Sequence, residues 1–310
     1  MSAALAEAAP PAAPGDASID RALSALGVAG PITIGGAPEG WDAFLLAEAA
    51  RRGRTILHIA RDEARLTALI DTLSAVAPDV AVYALPAWDC LPYDRVSPAA
   101  DAMARRLDTL CALAARAESD GAFILVTTVA AATQRTPPRA TLAGAAIDLA
   151  PGSETAFDAL TGQLAALGYA RADTVHEAGE YAVRGGIVDL FPPGHEEPLR
   201  LDFFGDSVET IRRFDPVTQS SAGTLDRLTI KPVEEAPLDD AAIARFRRSY
   251  RERFGAGGGS DPLYEAVSAG RRYPGLEHWA PLFHERMETL FDFAPEASVT
   301  LDDGATALIA

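Results

Sequence analysis

A short apolar run, Ile32–Ile34, ends at Gly35-Gly36 and leads into a helix-like stretch. That is the place where a nucleotide-binding α/β domain cradles phosphate. A working phosphate loop needs G-x-x-x-x-G-K-[ST], so that backbone amides and a lysine face the phosphates. Here the loop reads GGAPEGWDA, Glu39 puts negative charge where phosphate would sit, and the only lysine of the chain is the distant Lys231. Nor does FILVTT at Phe123 end in the acidic pair that would hold magnesium. An ordinary strand-to-helix turn accounts for these residues better than ATP hydrolysis does.

Other reactive groupings also lack the spacing their chemistry requires. Carboxylates pair at Glu196-Glu197, Glu234-Glu235, Asp239-Asp240 and Asp302-Asp303. General acid–base work needs two carboxyls converging across a cleft, and sequence neighbours splay apart, so all four read as surface charge. Among the histidines, His176-Glu177 begins like H-E-x-x-H, but Glu180 takes the second histidine position. No catalytic, cofactor-binding or metal-binding residue is therefore expected.

The strand-like segment at Leu199–Phe204 is different. At period two, Leu199, Leu201 and Phe203 share one face, while Arg200, Asp202 and Phe204 share the other. An arginine beside an outward phenylalanine is the composition of a protein-binding hot spot. Upstream, Tyr181 and Val183 point inward, Ala182 and Arg184 point outward, and Gly185-Gly186 bends the strand. Two readings remain open from spacing alone: Phe204 forms a binding surface, or it folds over a satellite apolar cluster beside its turn.

These residues need a scaffold, and the composition supplies one. The chain has 310 residues, 48% of them hydrophobic, which is ample for a core. A net charge of −17 repels DNA at long range, so nucleic-acid contact would need a local basic patch or another part of a larger protein. Only Cys90 and Cys111 are present, and the Ala/Pro-rich N-terminal residues have neither the basic region nor the continuous apolar core of an export signal. A cytoplasmic setting is expected. No run reaches the roughly 20 apolar residues of a membrane span.

From Pro31 strands and helices alternate: Thr55–Ala60, Val80–Leu85 and Phe123–Thr127 read as buried strands, with helices at Glu39–Arg52, Asp62–Val76 and Pro98–Ala117. Continuous apolar strands between helices predict a parallel sheet covered on both faces. Near residue 140 the grammar changes. A helix at Thr155–Leu167 precedes closely spaced strands at Ala170–Val175, Tyr181–Arg184, Ile187–Phe191, Leu199–Phe204 and Val208–Phe214, with Leu225–Val233 closing a small antiparallel α+β unit. After Pro237 a helix at Asp240–Phe254 carries five arginines between Arg245 and Arg253, interleaved with aromatics that are expected to be buried. The final SVTLDDGATALIA stops on an apolar run, which reads as a piece of a longer chain.

The runs EYAVRGGIVDLFPP (180–193) and LRLDFFGD (199–206) resemble the UvrB-interaction domain, shared by the excision-repair helicase UvrB and the bacterial transcription-repair coupling factors. WDCLPYDRVSP (88–98), followed by Arg105-Arg106-Leu107, is similar to the coupling factors specifically. The resemblance implies a UvrB-like N-terminal module: a leader at 1–16, a degenerate RecA-type α/β domain over 17–140, an inserted UvrA-binding α+β domain over 141–233, and a return to the α/β module over 234–310. It implies that Arg184, Arg200 and Phe204 contact UvrA, the excision-repair ATPase. It further implies that RNA polymerase and DNA are engaged only through domains outside this segment, where the family's ATP-dependent translocase also lies. The alternative reading is a divergent UvrB-type helicase subunit.

Overall fold

The computed structural model describes residues 16–27, 30–91, 94–255 and 261–308. The leader up to residue 15, Tyr93 and the glycine-rich 256–260 lie outside the described residues.

The chain opens with α1 (Asp16–Ala25) and α2 (Trp41–Arg51). Ile32–Ile34 is extended and exposed but is not a strand. A strand needs a ladder partner, and the neighbour places beside the following strand, β1 (Ile56–Ala60), are both filled by others. Next come α3 (Glu63–Val76), β2 (Ala81–Leu85), α4 (Ala100–Ala115) and β3 (Phe123–Thr128). Helix α3 starts where the Asp62 side chain accepts the Arg65 amide (2.8 Å), and it buries Leu66, Leu69 and Leu73 at helical spacing. On α2, by contrast, Phe44 stays exposed while Trp41, Leu45 and Ala49 are buried. Short α5 (Val129–Thr133) and α6 (Arg139–Ala143) follow.

The second unit holds β4 (Ile147–Leu149), α7 (Phe157–Ala166), β5 (Ala170–Arg171), β6 (Glu180–Arg184), β7 (Ile187–Leu190), β8 (Leu199–Phe204), β9 (Ser207–Phe214), β10 (Ser221–Thr224) and β11 (Leu228–Ile230). The chain then runs through α8 (Asp240–Phe254), α9 (Pro262–Ser268), a 3₁₀ segment at Leu276–Leu282, α10 (Leu290–Phe293) and β12 (Ser298–Leu301).

Strand order in the first sheet is β12-β1-β3-β2, all parallel. Its strands alternate between two cores. Ile56, Ala60, Ile124 and Val126 pack under α2 and α3, while Leu57, Leu85 and Leu125 pack under α4 with Met103, Leu107 and Leu110. The second sheet, order β10-β9-β8-β7-β6-β5, is antiparallel except where β5 meets β6. Its inner face packs on Leu160 and Leu164 of α7. The molecule is thus a mixed α/β structure with a parallel sheet and a separate, largely antiparallel one.

Three strand expectations change. Ala170–Val175 shrinks to two residues, and Val175 instead drops onto the opposite face with Ala182 and Phe214. The Leu225–Val233 run is a strand only at Leu228–Ile230, and it pairs with β4 rather than closing the large sheet. Strand β12 was not foreseen; it lies on β1 with Ser298 beside Ile56. Around α8, Phe246 and Tyr250 are buried with Tyr264 and Phe283, as the interleaving predicts, but Phe254, the last residue of the helix, is 52% exposed. No helix among the described residues is long and apolar enough to cross a membrane.

Candidate protein-binding surface

Strand β8 follows its period. Leu199 and Leu201 are buried, Arg200 and Asp202 are partly covered, and Phe204 is 81% exposed. The ring that turns inward is Phe203, which meets Phe157 edge-on at 5.3 Å. Of the two readings left open by spacing, the satellite cluster is therefore not adopted by Phe204. Its position follows from the tight Gly205-Asp206 turn, where Gly205 has φ 62, and from a register shift that leaves Glu209 as an extra residue on β9.

Register places Ala182, Asp189, Arg200 and Arg212 in one row across the outer face of β6, β7, β8 and β9. Ala182 points outward as expected but is buried, because Val175 and Phe214 cover that end of the face. Arg200 and Arg212 stand directly opposite each other, an unfavourable like-charge pair unless each finds an anion. Each does. Arg212 turns diagonally to Asp202 at 2.6 Å, where Thr210 also donates. Arg200 grips Asp189 with two bonds, Nε to Oδ1 at 2.7 Å and Nη2 to Oδ2 at 2.9 Å. That bidentate pairing with Asp189 raises the Arg200 pKa further above its ordinary value. Its guanidinium also lies 4.6 Å from the Phe214 ring centre.

Arg184 joins the same anion, donating to Asp189 Oδ2 at 3.1 Å. Gln219 Oε1 accepts from both arginines at 3.2 Å. Gln219 is the only non-glycine with positive φ among the described residues, at 59°. It sits in a turn where Asp215 Oδ1 accepts the amides of Val217 and Thr218, bonds that hold the Asp215 carboxyl below its usual range. The side chain of Asp189 is 1% exposed, that of Arg200 14% and that of Arg184 48%. Thus the structure brings Arg184 and Arg200 together on a buried carboxylate. Phe204 lies farther along the same face, about 13 Å from Arg200 by strand rise. Sequence reasoning missed Asp189 and Gln219. The acid was visible as the one charged residue in IVDL, whereas the glutamine carried no local signal.

Other candidates resolve differently. Glu39 is exposed, and Lys231 is ion-paired with Asp108 on α4, far from the glycine loop in sequence. Glu234-Glu235 is not surface charge. Both carboxyls sit where the cores meet: Glu235 pairs with Arg106 at 2.9 Å with neither side chain exposed, and Glu234 pairs with Arg272 at 2.8 Å. Asp239 caps α8. The structure also gathers Asp42, His58 and Asp302, with potential donor atoms within 4.8 Å of one another. Arg65 contacts both aspartates, so a guanidinium already holds the cation's place there.

Comparison with known proteins matches residues 147–235 to the UvrB interaction domain family. Over 275 residues, 87% of this chain, it is 35% identical to a transcription-repair-coupling factor of Haemophilus influenzae. Over 265 residues, 84% of the chain, it is 37% identical to that of Escherichia coli. A Mycobacterium bovis counterpart is 32% identical over 83% of the chain. The chain spans 23% of the length of each of the first two relatives and 22% of the third. Residues 147–235 are accordingly similar to the UvrB interaction domain, and most of the chain is similar to the transcription-repair-coupling factors.

Proposed function

We propose that this chain is the N-terminal recruitment module of a transcription-repair-coupling factor and that its outer β6–β9 face captures UvrA, bringing excision repair to stalled RNA polymerase in the cytoplasm. In this reading the UvrA-binding unit spans about residues 141–233, and residues 17–140 with 234–310 form a scaffold that does not hydrolyse ATP. RNA polymerase and DNA are the business of other domains of the parent protein. The observation that carries the reading is Phe204: a phenylalanine 81% exposed, on the face that also displays two arginines fixed by a buried acid.

Such a face suits recruitment. Phe204 supplies apolar area for desolvation, and a pre-held arginine loses little freedom on binding, so its remaining N–H groups reach a partner carboxylate cheaply. A cationic spot on a chain of net charge −17 also sets orientation and discourages wrong partners. In a quantitative pull-down or titration with purified UvrA, Phe204→Ala and Arg200→Glu should each weaken capture by at least ~2 kcal/mol while the fold survives. Unchanged capture by both variants would defeat the assignment.

A further inference from the structure

Arg184 and Arg200 share more than one carboxylate. The Nη2 atom of Arg184 lies 3.1 Å from Asp189 Oδ2 and 3.2 Å from Gln219 Oε1. The Nη2 atom of Arg200 lies 2.9 Å and 3.2 Å from the same two oxygens. Two donors and two acceptors thus alternate around a closed ring of four hydrogen bonds. The acceptors differ in kind: Asp189 offers a buried carboxylate, and Gln219 a half-buried, neutral amide.

Holding Gln219 in that ring is conformationally unfavourable. At φ 59° an L side chain crowds its own backbone, and every other positive-φ position among the described residues is glycine. Glycine would take this place without strain but has no oxygen to offer the arginines. The turn itself does not need that oxygen. It is closed by the Asp215 amide donating to the Ser220 carbonyl at 3.0 Å and the Gln219 amide donating to the Asp215 carbonyl at 2.8 Å. Asp215 Oδ1 accepts two further amides there. The other end of the Gln219 side chain is fixed as well, since Nε2 donates to the Pro216 carbonyl at 2.8 Å. That bond leaves Oε1 aimed at the arginines. Strain kept where the local fold gains nothing from it is a mark of function.

Charge explains an amide in place of an acid. Two guanidinium groups against Asp189 leave one positive charge, which a second carboxylate would cancel. The ring also settles which donors remain among the described residues. Arg200 uses Nε and Nη2 and keeps Nη1, while Arg184 uses Nη2 alone and keeps Nε and Nη1. We infer that Gln219 is a positioning residue of the docking face, holding the two arginines side by side without cancelling their charge so that they receive a carboxylate of the partner. This rests on the reading of the face as the surface that captures UvrA, and adds the residue that orients it and the anion it takes.

Two measurements on the whole chain test this: affinity for purified UvrA, and NMR relaxation of the Nε–H groups of Arg184 and Arg200. Gln219→Gly keeps the turn and removes the acceptor. It should weaken capture about fivefold or more and loosen Arg184, while Arg200, still bidentate on Asp189, stays ordered. Gln219→Glu keeps an acceptor in the ring but cancels the remaining charge. It should leave both arginines ordered, weaken capture about tenfold or more, and flatten its dependence on salt. The same variant decides the matter if Gln219→Gly fails to fold. Parent-like capture by Gln219→Gly would mean that the residue only shapes the turn, and parent-like capture by Gln219→Glu that the charge is unused. Either result overturns the inference. If the unaltered chain does not capture UvrA, it is the reading of the partner that fails. The relaxation data then decide the positioning role: a loosened Arg184 in Gln219→Gly upholds it, and an unchanged one overturns it.

Discussion

Every residue of β1 and β3 is buried, whereas β8 of the second sheet runs from a buried leucine to a phenylalanine 81% exposed. In the parallel sheet β1 and β3 lie between two helix-covered cores, so only their strand ends are free for chemistry. The second sheet covers only its inner face with α7, and its outer face carries Asp189, Arg200, Asp202 and Arg212 in an ordered network. A sheet buried on both sides is a scaffold, while a sheet half buried and half polar can present a rigid, specific surface.

The strongest challenge to this division is the join between the two regions. Arg106→Ala leaves Glu235 buried without its partner and should cost about 3–5 kcal/mol in chemical denaturation, against both units together. A loss confined to one unit, seen as two separate transitions, would mean that the regions are energetically independent. Asp189→Ala acts on the second face alone. It strips both arginines of their shared anion and should lower stability by about 1–3 kcal/mol while weakening UvrA capture. Full capture by a folded Asp189→Ala chain would show that the arginines need no internal holder.

The pH dependence sharpens the comparison at the boundary. The Glu234 carboxyl is raised to about 8 in the folded chain, above its unfolded value of 4.5, so the folded state holds the extra proton between those two values. Its stabilising contribution is complete below pH 4.5 and fades as pH rises through about 8. Urea titrations across that window should show a downward slope with pH that Glu234→Gln flattens; equal slopes would remove the buried acid from the account. The smallest effect belongs to Phe204→Ala, expected within about 0.5 kcal/mol of the parent in stability, because an exposed ring contributes little to the core. A larger loss would return Phe204 to a packing role.

Local periodicity carried much of this. The buried strands expected at Thr55–Ala60 and Phe123–Thr127, the helix expected over Asp62–Val76 and the outward turn of Arg184, Arg200 and Phe204 were all legible, because helix and strand periods act over a few neighbours. Ile32–Ile34 misled for the same reason: strand propensity does not supply a partner strand. Glu234-Glu235 misled because adjacency says nothing about what lies on either side.

The amino-acid order alone settled which side chains share a face along β8 and that the glycine loop carries no lysine, since both depend on residue type and short spacing. Only the folded chain decided that β12 returns to lie beside β1, that Asp189 and Gln219 hold the two arginines, and that Arg106 meets Glu235. Those contacts join positions from 5 to more than 200 residues apart through sheet register and core packing, which no local pattern encodes.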